Sequence, residues 1–443
     1  MAGRQMPKTV STKQARIATL AKMMPGTAIR SLSHYMDLDW LRDAVRRTRK
    51  DGAVGIDGVT AGEFASDLEA NLQSLLDRAK SGSYRAPPVR RVEIPKGGGK
   101  MRPIGIPTYE DKVLQRGVVM LLEPIYEGDF YDFSYGFRPG RSAHDAYAAL
   151  REGLVDMKGG WVLDADVSSF FDTLDHRQLR DLLRQRVVDG VVVRLVGKWL
   201  NAGVLSEGRV THSAQGTPQG GVISPLLANI YLHEVLDRWW VEEVLPRLRG
   251  RAFLIRYADD FVMVFSDEAD ARRVHEVLPK RFGRFGLTLH PEKTRLIRFH
   301  RPGPGEGVRR DATFDFLGFT LFWGRSRRGW WVVKVKTARG RFTRALQALK
   351  EWMNRARHRP IQEQAEALSR KMRGHYRYYG VPGNSNAIAR FRHAATRHWW
   401  RALGRRSQRY FSWARFSRIA RRYPLPPARL PPWRRRQLRM ANV

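Results

Sequence analysis

The 443-residue sequence is 42% hydrophobic, enough for one large or two to three ordinary domains, and its 80 Lys and Arg against 43 Asp and Glu give a net charge of +37. No run of 18 uncharged apolar residues exists, which excludes a membrane-spanning helix, and the opening segment lacks the apolar centre of a secretory signal. The absence of cysteine excludes disulfides and thiolate metal sites.

Residues 1–30 read as a flexible basic tail. Helical patterns over 36–80 are broken by the Gly-rich turn cluster "KDGAVGIDGVT", and "EFASDLEANLQSLLDRAKSG" has the apolar spacing and terminal Gly of a helix. "YRAPPVRRVEIPKGGGKMRPIGIP" predicts two short strands around a Gly-rich turn, and "EDKVLQRGVVMLLEPIYE" a helix. "GGWVLDADVSSFFDTLDHRQLRDLLRQRV" is a strand running into a helix, with Asp175 and Gln178 placed for a capping box. The loop "AQGTPQGGVI" precedes a long helix, "SPLLANIYLHEVLDRWWVEEVLP". "AFLIRYADDFVMVF" is strand, tight turn, strand; a helix at "EADARRVHEVLPKRFGRFG" and a strand at "LTLHPEKTRLIRF" follow. "TFDFLGFTLFW" predicts one further strand, and after about residue 325 the pattern turns helical. The end, "RRYPLPPARLPPWRRRQLRM", is Pro-rich, basic and expected to be extended.

Charge follows the same division. Residues 325–443 hold 32 Lys and Arg against 3 Asp and Glu, a net +29, which leaves only +8 for the rest. These cations alternate with aromatic residues, as in "GHYRYYG" and "RHWWRALGRRSQRYFSWARF". Cations for phosphates beside flat rings for bases form the pattern of nucleic-acid binding, and no strong amphipathic surface helix favours a membrane instead. The fold class is α+β: a middle with an antiparallel sheet, then a basic helical module.

Asp259 and Asp260 sit between two apolar runs. At a hairpin tip they reach solvent while Leu254, Val262 and Val264 anchor the strands. Alone, such a pair is ordinarily a solvated turn. A divalent cation would neutralise it, since Mg²⁺ takes hard oxygen ligands from one or two carboxylates and from phosphates. Phosphoryl transfer can use two such ions about 4 Å apart, which calls for a third carboxylate. Asp166 ends the apolar strand "WVLDAD" and is the obvious candidate; Asp164 shares its strand face and Asp172 lies beyond the turn, so chemistry alone does not choose among them.

The order of motifs resembles bacterial group II intron-encoded reverse transcriptases and maturases. "YADD" at 257–260 resembles their catalytic box, "DADVSSFFDTLDH" at 164–176 their first aspartate motif, and "QGTPQGGVISPLLANIYL" at 215–232 their nucleotide-and-template loop. "IPKGGGKMRPIGIPTYEDKVLQ" and "YGFRPGRSAHDA" are similar to fingers motifs, "GIDGVT" to the N-terminal extension, "LHPEKT" to the motif after the catalytic hairpin and "FDFLGF" to the primer grip. "RGHYRYYGVPGN" and "RRSQRYFSWARFSRIARRYPLP" resemble the thumb or maturase region, so the likeness spans roughly residues 35–430.

The resemblance implies a right-hand polymerase: an N-terminal extension over 1–74, fingers and palm over 75–322, a helical thumb/maturase domain over 323–430 and a basic tail over 431–443. It implies Asp166, Asp259 and Asp260 as catalytic carboxylates, with the Val167 carbonyl as a further metal ligand. Lys96 and Arg102 would hold the triphosphate, and Phe171 would lie under the sugar, where it clashes with a 2′-hydroxyl and favours dNTPs. Gln219 and Gly220 would line the nucleotide pocket, and Lys293 would protonate the leaving pyrophosphate. The implied cofactor is a pair of Mg²⁺ ions, with Mn²⁺ as a substitute. The implied partners are group II intron RNA, an RNA template with a DNA primer, target DNA and dNTPs, with no membrane, for a monomer or homodimer in the bacterial cytoplasm beside the nucleoid. Ala258 and Phe171 stand where RNA-dependent RNA polymerases prefer Gly and a polar residue. Many members carry a zinc-supported HNH endonuclease; without Cys or paired His, none is expected here. Two other roles stay open: a domesticated or defence-associated reverse transcriptase with the same chemistry, and a non-catalytic RNA-binding splicing factor.

Overall fold

The computed structural model describes residues 9–97, 100–206, 209–211, 220–307, 312–406 and 410–430. Its first element departs from expectation. Val10–Met23, read as flexible tail, form helix α1, capped by the Thr9 side chain. Ile17 and Ala21 are buried, Lys13 pairs with Asp37, and Gln14 Nε2 donates to the Met120 carbonyl at 3.1 Å. Arg186 clamps the far end: it pairs with Asp129 at 2.7 Å and donates to the carbonyls of Ala21, Met24 and Thr27. A basic segment is thus held in part by hydrogen bonds from a residue far along the chain.

Helices α2 (Leu38–Arg47), α3 (Ala61–Ser66) and α4 (Leu68–Ser81) follow; Thr60 and Glu63 make the capping box of α3, and Gly82, left-handed at φ 86°, ends α4. The expected boundary at 74/75 therefore falls inside a helix. Strands β1 (Val89–Gly97) and β2 (Lys100–Ile106) form the predicted hairpin, and α5 (Tyr109–Asp129) is buried along most of its length. After α6 (Ala143–Asp156), strand β3 (Trp161–Ser168) leads through the single turn α7 (Phe170–Thr173) into α8 (His176–Arg186) and α9 (Gly190–Leu200). Asp175 caps α8, accepting from the Gln178 N–H at 2.7 Å. The Gln178 side chain accepts from the Tyr231 hydroxyl at 2.9 Å, so only half of the expected capping box is seen.

Strands β4 (Val204–Ser206) and β5 (Arg209–Thr211) complete a four-stranded sheet, β2-β1-β4-β5, in which the β1–β4 pair is parallel. Helix α10 (Ser224–Leu232) runs on through π-helical turns to Val244. Strands β6 (Ala252–Tyr257) and β7 (Asp260–Phe265) make a hairpin; α11 (Glu268–Gly283), β8 (Thr288–Leu289) and β9 (Arg295–Arg298) follow. These strands build the central antiparallel sheet, β6-β7-β3-β8, with β9 also on β3.

Residues 314–337 correct the sequence reading twice. "TFDFLGFTLFW" is not one strand but two, β10 (Phe314–Phe316) and β11 (Phe319–Arg325), and the chain stays extended through β12 (Trp331–Thr337) before helices resume. The turn Leu317–Gly318 has positive φ at both residues, 50° and 80°, and reverses the chain inside what looks like a continuous apolar run. The expected 322/323 boundary cuts β11. Four helices, α12 (Arg339–Ala356), α13 (Ile361–Tyr379), α14 (Ser385–Gly404) and α15 (Trp413–Arg422), form the basic module around a core of their own.

The central sheet separates two further cores. Leu163, Ala165 and Val167 of β3 and Phe261, Met263 and Phe265 of β7 face the large helical core. Val162, Val262 and Val264 face a smaller core with β10–β12 and α6. Alternation therefore puts Asp164, Asp166 and Asp260 on the second face, with Asp164 across from Val262 at the edge of that smaller core.

The clamp on α1 carries a prediction. Arg186→Ala leaves Asp129 and three carbonyls without their donor, at a cost of roughly 3–5 kcal/mol, and releases α1. Hydrogen exchange over residues 10–23 should rise sharply, along with a fall in melting temperature.

Candidate active site

The β3–β7 register sets Asp166 directly opposite Asp260, and Asp164 opposite Val262. Such cross-strand neighbours hold their Cβ atoms about 4.5–5.5 Å apart. Asp259 occupies the turn that joins β6 to β7, beside Asp260. The turn is tight: Ala258 takes a left-handed φ of 56°, costly for a residue with a Cβ. Asp172, the third candidate from the sequence, lies in α7, exposed and off the sheet.

The three side chains facing one another on β3 and β7 have different surroundings. Asp260 is half-buried, and the water it has lost together with the charges of Asp164, Asp259 and Asp166 pushes its pKa up to about 7; a hydrogen bond from the Leu317 backbone opposes the rise. Asp164 is raised to about 6 by burial, against the pull of Arg295, whose guanidinium lies 3.5 Å away. Lys293 Nζ pairs with Asp166 Oδ2 at 2.5 Å. That lysine is brought in by the turn after β8, where the His290 N–H donates to the Asp166 carbonyl at 2.7 Å. Successive carbonyls of a strand point to opposite sides, so the Val167 carbonyl faces the other way, towards the 258–259 turn.

Among the described residues no three acidic or imidazole side chains are gathered closely enough to hold a metal ion by themselves. The corner is open, and its donors are hard carboxylate oxygens crowded with like charge. Mg²⁺ binds through one or two carboxylates and completes its shell with water and phosphate oxygens, so the residues present fit it.

A buried network holds the corner in place. Arg256 and Asp237 are both fully buried and joined by two hydrogen bonds, at 2.7 and 2.5 Å. The remaining arm of Arg256 donates to Asn229 Oδ1 at 3.0 Å and to the Ala258 carbonyl at 3.1 Å. Asn229 Nδ2 in turn donates to the Gly136 carbonyl at 2.7 Å. The segment 133–135 bonds both backbone groups of Arg256. Gly136 passes so close to the turn that an added Cβ would stand 2.2 Å from the Ala258 nitrogen. None of Arg256, Asp237, Asn229 or Gly136 was singled out from the sequence. The available signal was polarity out of place: one Arg in "FLIRY", one Asn in "PLLANIYL", one Asp in "EVLDRWW".

The other expected site residues divide. Phe171 is half-buried, packs against the large core and meets Phe170 edge-on at 5.3 Å, with part of its ring exposed. Arg102 is exposed on β2, opposite Ile94. Gly220, at φ 123°, lies against β2, where a Cβ would be 2.5 Å from the Gly105 carbonyl oxygen. The side chain of Lys96 and the whole of Gln219 lie outside the described residues.

Beside the corner, a cleft of about 1230 Å³ runs between the open face of β10–β12 and the start of α12 and α14. Lys334, Lys336, Arg339 and Arg390 line it, with Lys336 over the Phe322 ring at 5.4 Å and Arg390 over Phe342 at 5.6 Å. Its one acid, Asp315, accepts from Thr320 Oγ1 at 2.5 Å.

Comparison with known proteins bears on this geometry. The family described as "Reverse transcriptase (RNA-dependent DNA polymerase)" matches residues 94–321. Protein YkfC of Escherichia coli (strain K12) is 37% identical over 357 residues, covering 72% of this chain and 90% of YkfC. The group II intron-encoded protein LtrA of Lactococcus lactis subsp. cremoris is 41% identical over 192 residues, 41% of this chain but only 32% of LtrA. Nuclear intron maturase 2, mitochondrial, of Arabidopsis thaliana is 28% identical over 237 residues, 44% of this chain and 30% of that protein.

Gly136→Ala tests whether the close approach sets the corner. The added methyl must push the 257–258 turn aside. A displacement of about 1 Å at a reacting centre costs on the order of 100-fold in rate. Primer extension should fall by about that factor while circular dichroism stays that of the parent protein.

Proposed function

The chain belongs to the reverse transcriptase family, in its group II intron-encoded branch, and from that premise we propose that it copies RNA into DNA at the corner of Asp166, Asp259 and Asp260. We further propose that it binds group II intron RNA and promotes its splicing and retromobility. The observation that carries the catalytic part is the register that sets Asp166 across from Asp260 with Asp259 on the adjoining turn.

In this reading the two four- and five-stranded sheets with their helices, up to residue 337, serve as fingers and palm, and α12–α15 serve as the thumb. Asp166, Asp259, Asp260 and the Val167 carbonyl would hold two Mg²⁺ ions. When bound, the ions activate the primer 3′-hydroxyl and take up charge on the departing pyrophosphate. The chain's own groups do the rest. Lys96 and Arg102 grip the triphosphate, Gln219 and Gly220 wall the nucleotide pocket, and Phe171 excludes a 2′-hydroxyl. The Leu317–Gly318 turn, whose backbone bonds Asp260, seats the primer terminus. Lys293, already paired with Asp166, is positioned to pass a proton to the leaving group. Bringing the reactants into line and neutralising phosphate charge supplies most of the rate.

The RNA-binding part rests on charge. A net +29 over residues 325–443, interleaved with aromatic rings, suits a polyanion with exposed bases. The names of LtrA and the plant maturase point to the same partner, an intron RNA. In the cell this implies work in the cytoplasm beside the nucleoid, where template RNA and target DNA meet.

Two measurements test the catalytic reading. Asp259→Ala should lower primer extension on poly(rA)/oligo(dT) with Mg²⁺ by at least about 100-fold, since the ions supply several kcal/mol of charge stabilisation. An unchanged rate would reduce the protein to an RNA binder. Phe171→Ala should raise ribonucleotide use relative to dNTP use by roughly 10-fold or more, the scale on which a shaped pocket discriminates by contact. Incorporation ratios in single-nucleotide reactions read this directly.

A further inference from the structure

Residues 316–350 contain nine Lys and Arg and no Asp or Glu. Inside this stretch, β11 and β12 are joined by the turn 326–330, which holds its own shape. Ser326 N donates to the Trp330 carbonyl at 2.7 Å, Gly329 N to the Ser326 carbonyl at 3.1 Å, and Trp330 N to Ser326 Oγ at 3.1 Å. Arg325 donates to the Gly329 carbonyl at 2.9 Å and lies over the Trp331 ring at 4.2 Å. Trp331 packs inward against the smaller sheet core. Trp330 does not: it is 72% exposed. The tip therefore holds a bare indole in water, beside Arg328 and beside Arg327, which also lines the far end of the cleft along β10–β12.

The tip is remote from the carboxylates. Trp323 Nε1 donates to the Phe299 carbonyl at 3.1 Å, and Phe299 N donates to the Gly160 carbonyl at 2.8 Å. Gly160 immediately precedes β3, whereas Asp166 lies near that strand's other end. The hairpin thus projects from the end of the central sheet opposite the acidic corner.

We propose that this tip is a second nucleic-acid site, which stacks an unpaired base of RNA on Trp330 and holds the flanking phosphates with Arg327 and Arg328. An exposed ring among cations without acids complements a base between two phosphates. RNA recognition favours bases splayed from loops and bulges, which present free faces to aromatic side chains. The site rests on the RNA-binding part of the function proposed above, and it adds a place and a chemistry to it.

The test uses the full chain with its polymerase cleft filled by a dideoxy-terminated RNA/DNA hybrid. 5-Iodouridine-substituted oligo(U) is then photocrosslinked and the adduct mapped by mass spectrometry. The adduct should fall on the peptide carrying Trp330. Trp330→Ala should abolish it and weaken oligo(U) binding by about 5- to 100-fold, the range for losing one stacked base. Trp330→Phe should retain most of the binding, and neither change should alter extension on poly(rA)/oligo(dT). Wild-type affinity in Trp330→Ala, or adducts that all map elsewhere, would overturn the assignment. So would a parallel loss of primer extension, which would move Trp330 into the polymerase cleft. A wild-type protein that takes the adduct at Trp330 yet extends no primer would support this site while removing the polymerase reading.

Discussion

The side chain of Arg256 is the point on which the acidic corner hangs. A guanidinium with no solvent contact is tolerable only when its charge is paired and its donors are spent. Asp237 supplies the charge, and Asn229 and the Ala258 carbonyl take the remaining arm. Four pieces of chain meet there: the helix after residue 224, its π-helical continuation, the segment around Gly136, and the turn that carries Asp259. Three of them meet at one planar group with a fixed fork geometry, which a lysine could not reproduce, and the Gly136 segment joins through Asn229 and the Arg256 backbone. The left-handed Ala258 is a strained conformation, and such strain persists only where surrounding contacts over-determine it. Arg256 and the close approach of Gly136 provide that determination.

The carboxylates themselves are placed by strand periodicity. One face of β3 and β7 is needed for the large helical core, so every second residue must be apolar. The intervening residues face β10–β12 and α6 at one end and a cleft at the other. Val162 and Val264 fill the covered end, Val262 stands opposite Asp164 at its edge, and Asp166 and Asp260 come last. Loss of water around Asp164 and Asp260 raises both pKa values first, and the repulsion among the carboxylates adds to it. Arg295 and Lys293 answer part of that charge from β9 and the turn before it. What remains is an electrostatic demand for further cations.

Much of this was legible in the sequence because it is local. The "YADD" hairpin, the strand-to-helix passage after Asp166 and the long helix from Ser224 all follow from apolar periodicity and turn residues. What escaped was non-local. Helix α1 looks like a polar tail because its anchors, Arg186 and Asp129, lie more than a hundred residues away. The reversal at Leu317–Gly318 hides in an apolar run, since a leucine at positive φ carries no turn signature; it is held instead by what it touches, the Asp260 carboxylate and the Tyr378 hydroxyl. Strand β12 lies beyond the point, about residue 325, where the pattern is read as turning helical, although the alternation of Lys334 and Lys336 with Val333 and Val335 is what a sheet with one wet face requires. The register that sets Asp166 across from Asp260 and Asp164 across from Val262 is encoded by no spacing within one segment.

Those two lysines also join the acidic corner to the basic module. They stand on the open face of the same three-stranded sheet whose covered face closes the smaller core. That open face begins at Asp315, near Asp164, and ends against the start of α12 and α14. The field along it thus changes sign within one sheet, from carboxylates to Lys334, Lys336, Arg339 and Arg390. A phosphate backbone laid there would be held by the cations and kept off the carboxylates, except where a metal ion bridges the two. In the function proposed above, that sign change would set where along such a strand the reacting phosphate lies. A uniformly basic surface would bind the polyanion as well but would leave the reacting phosphate undefined.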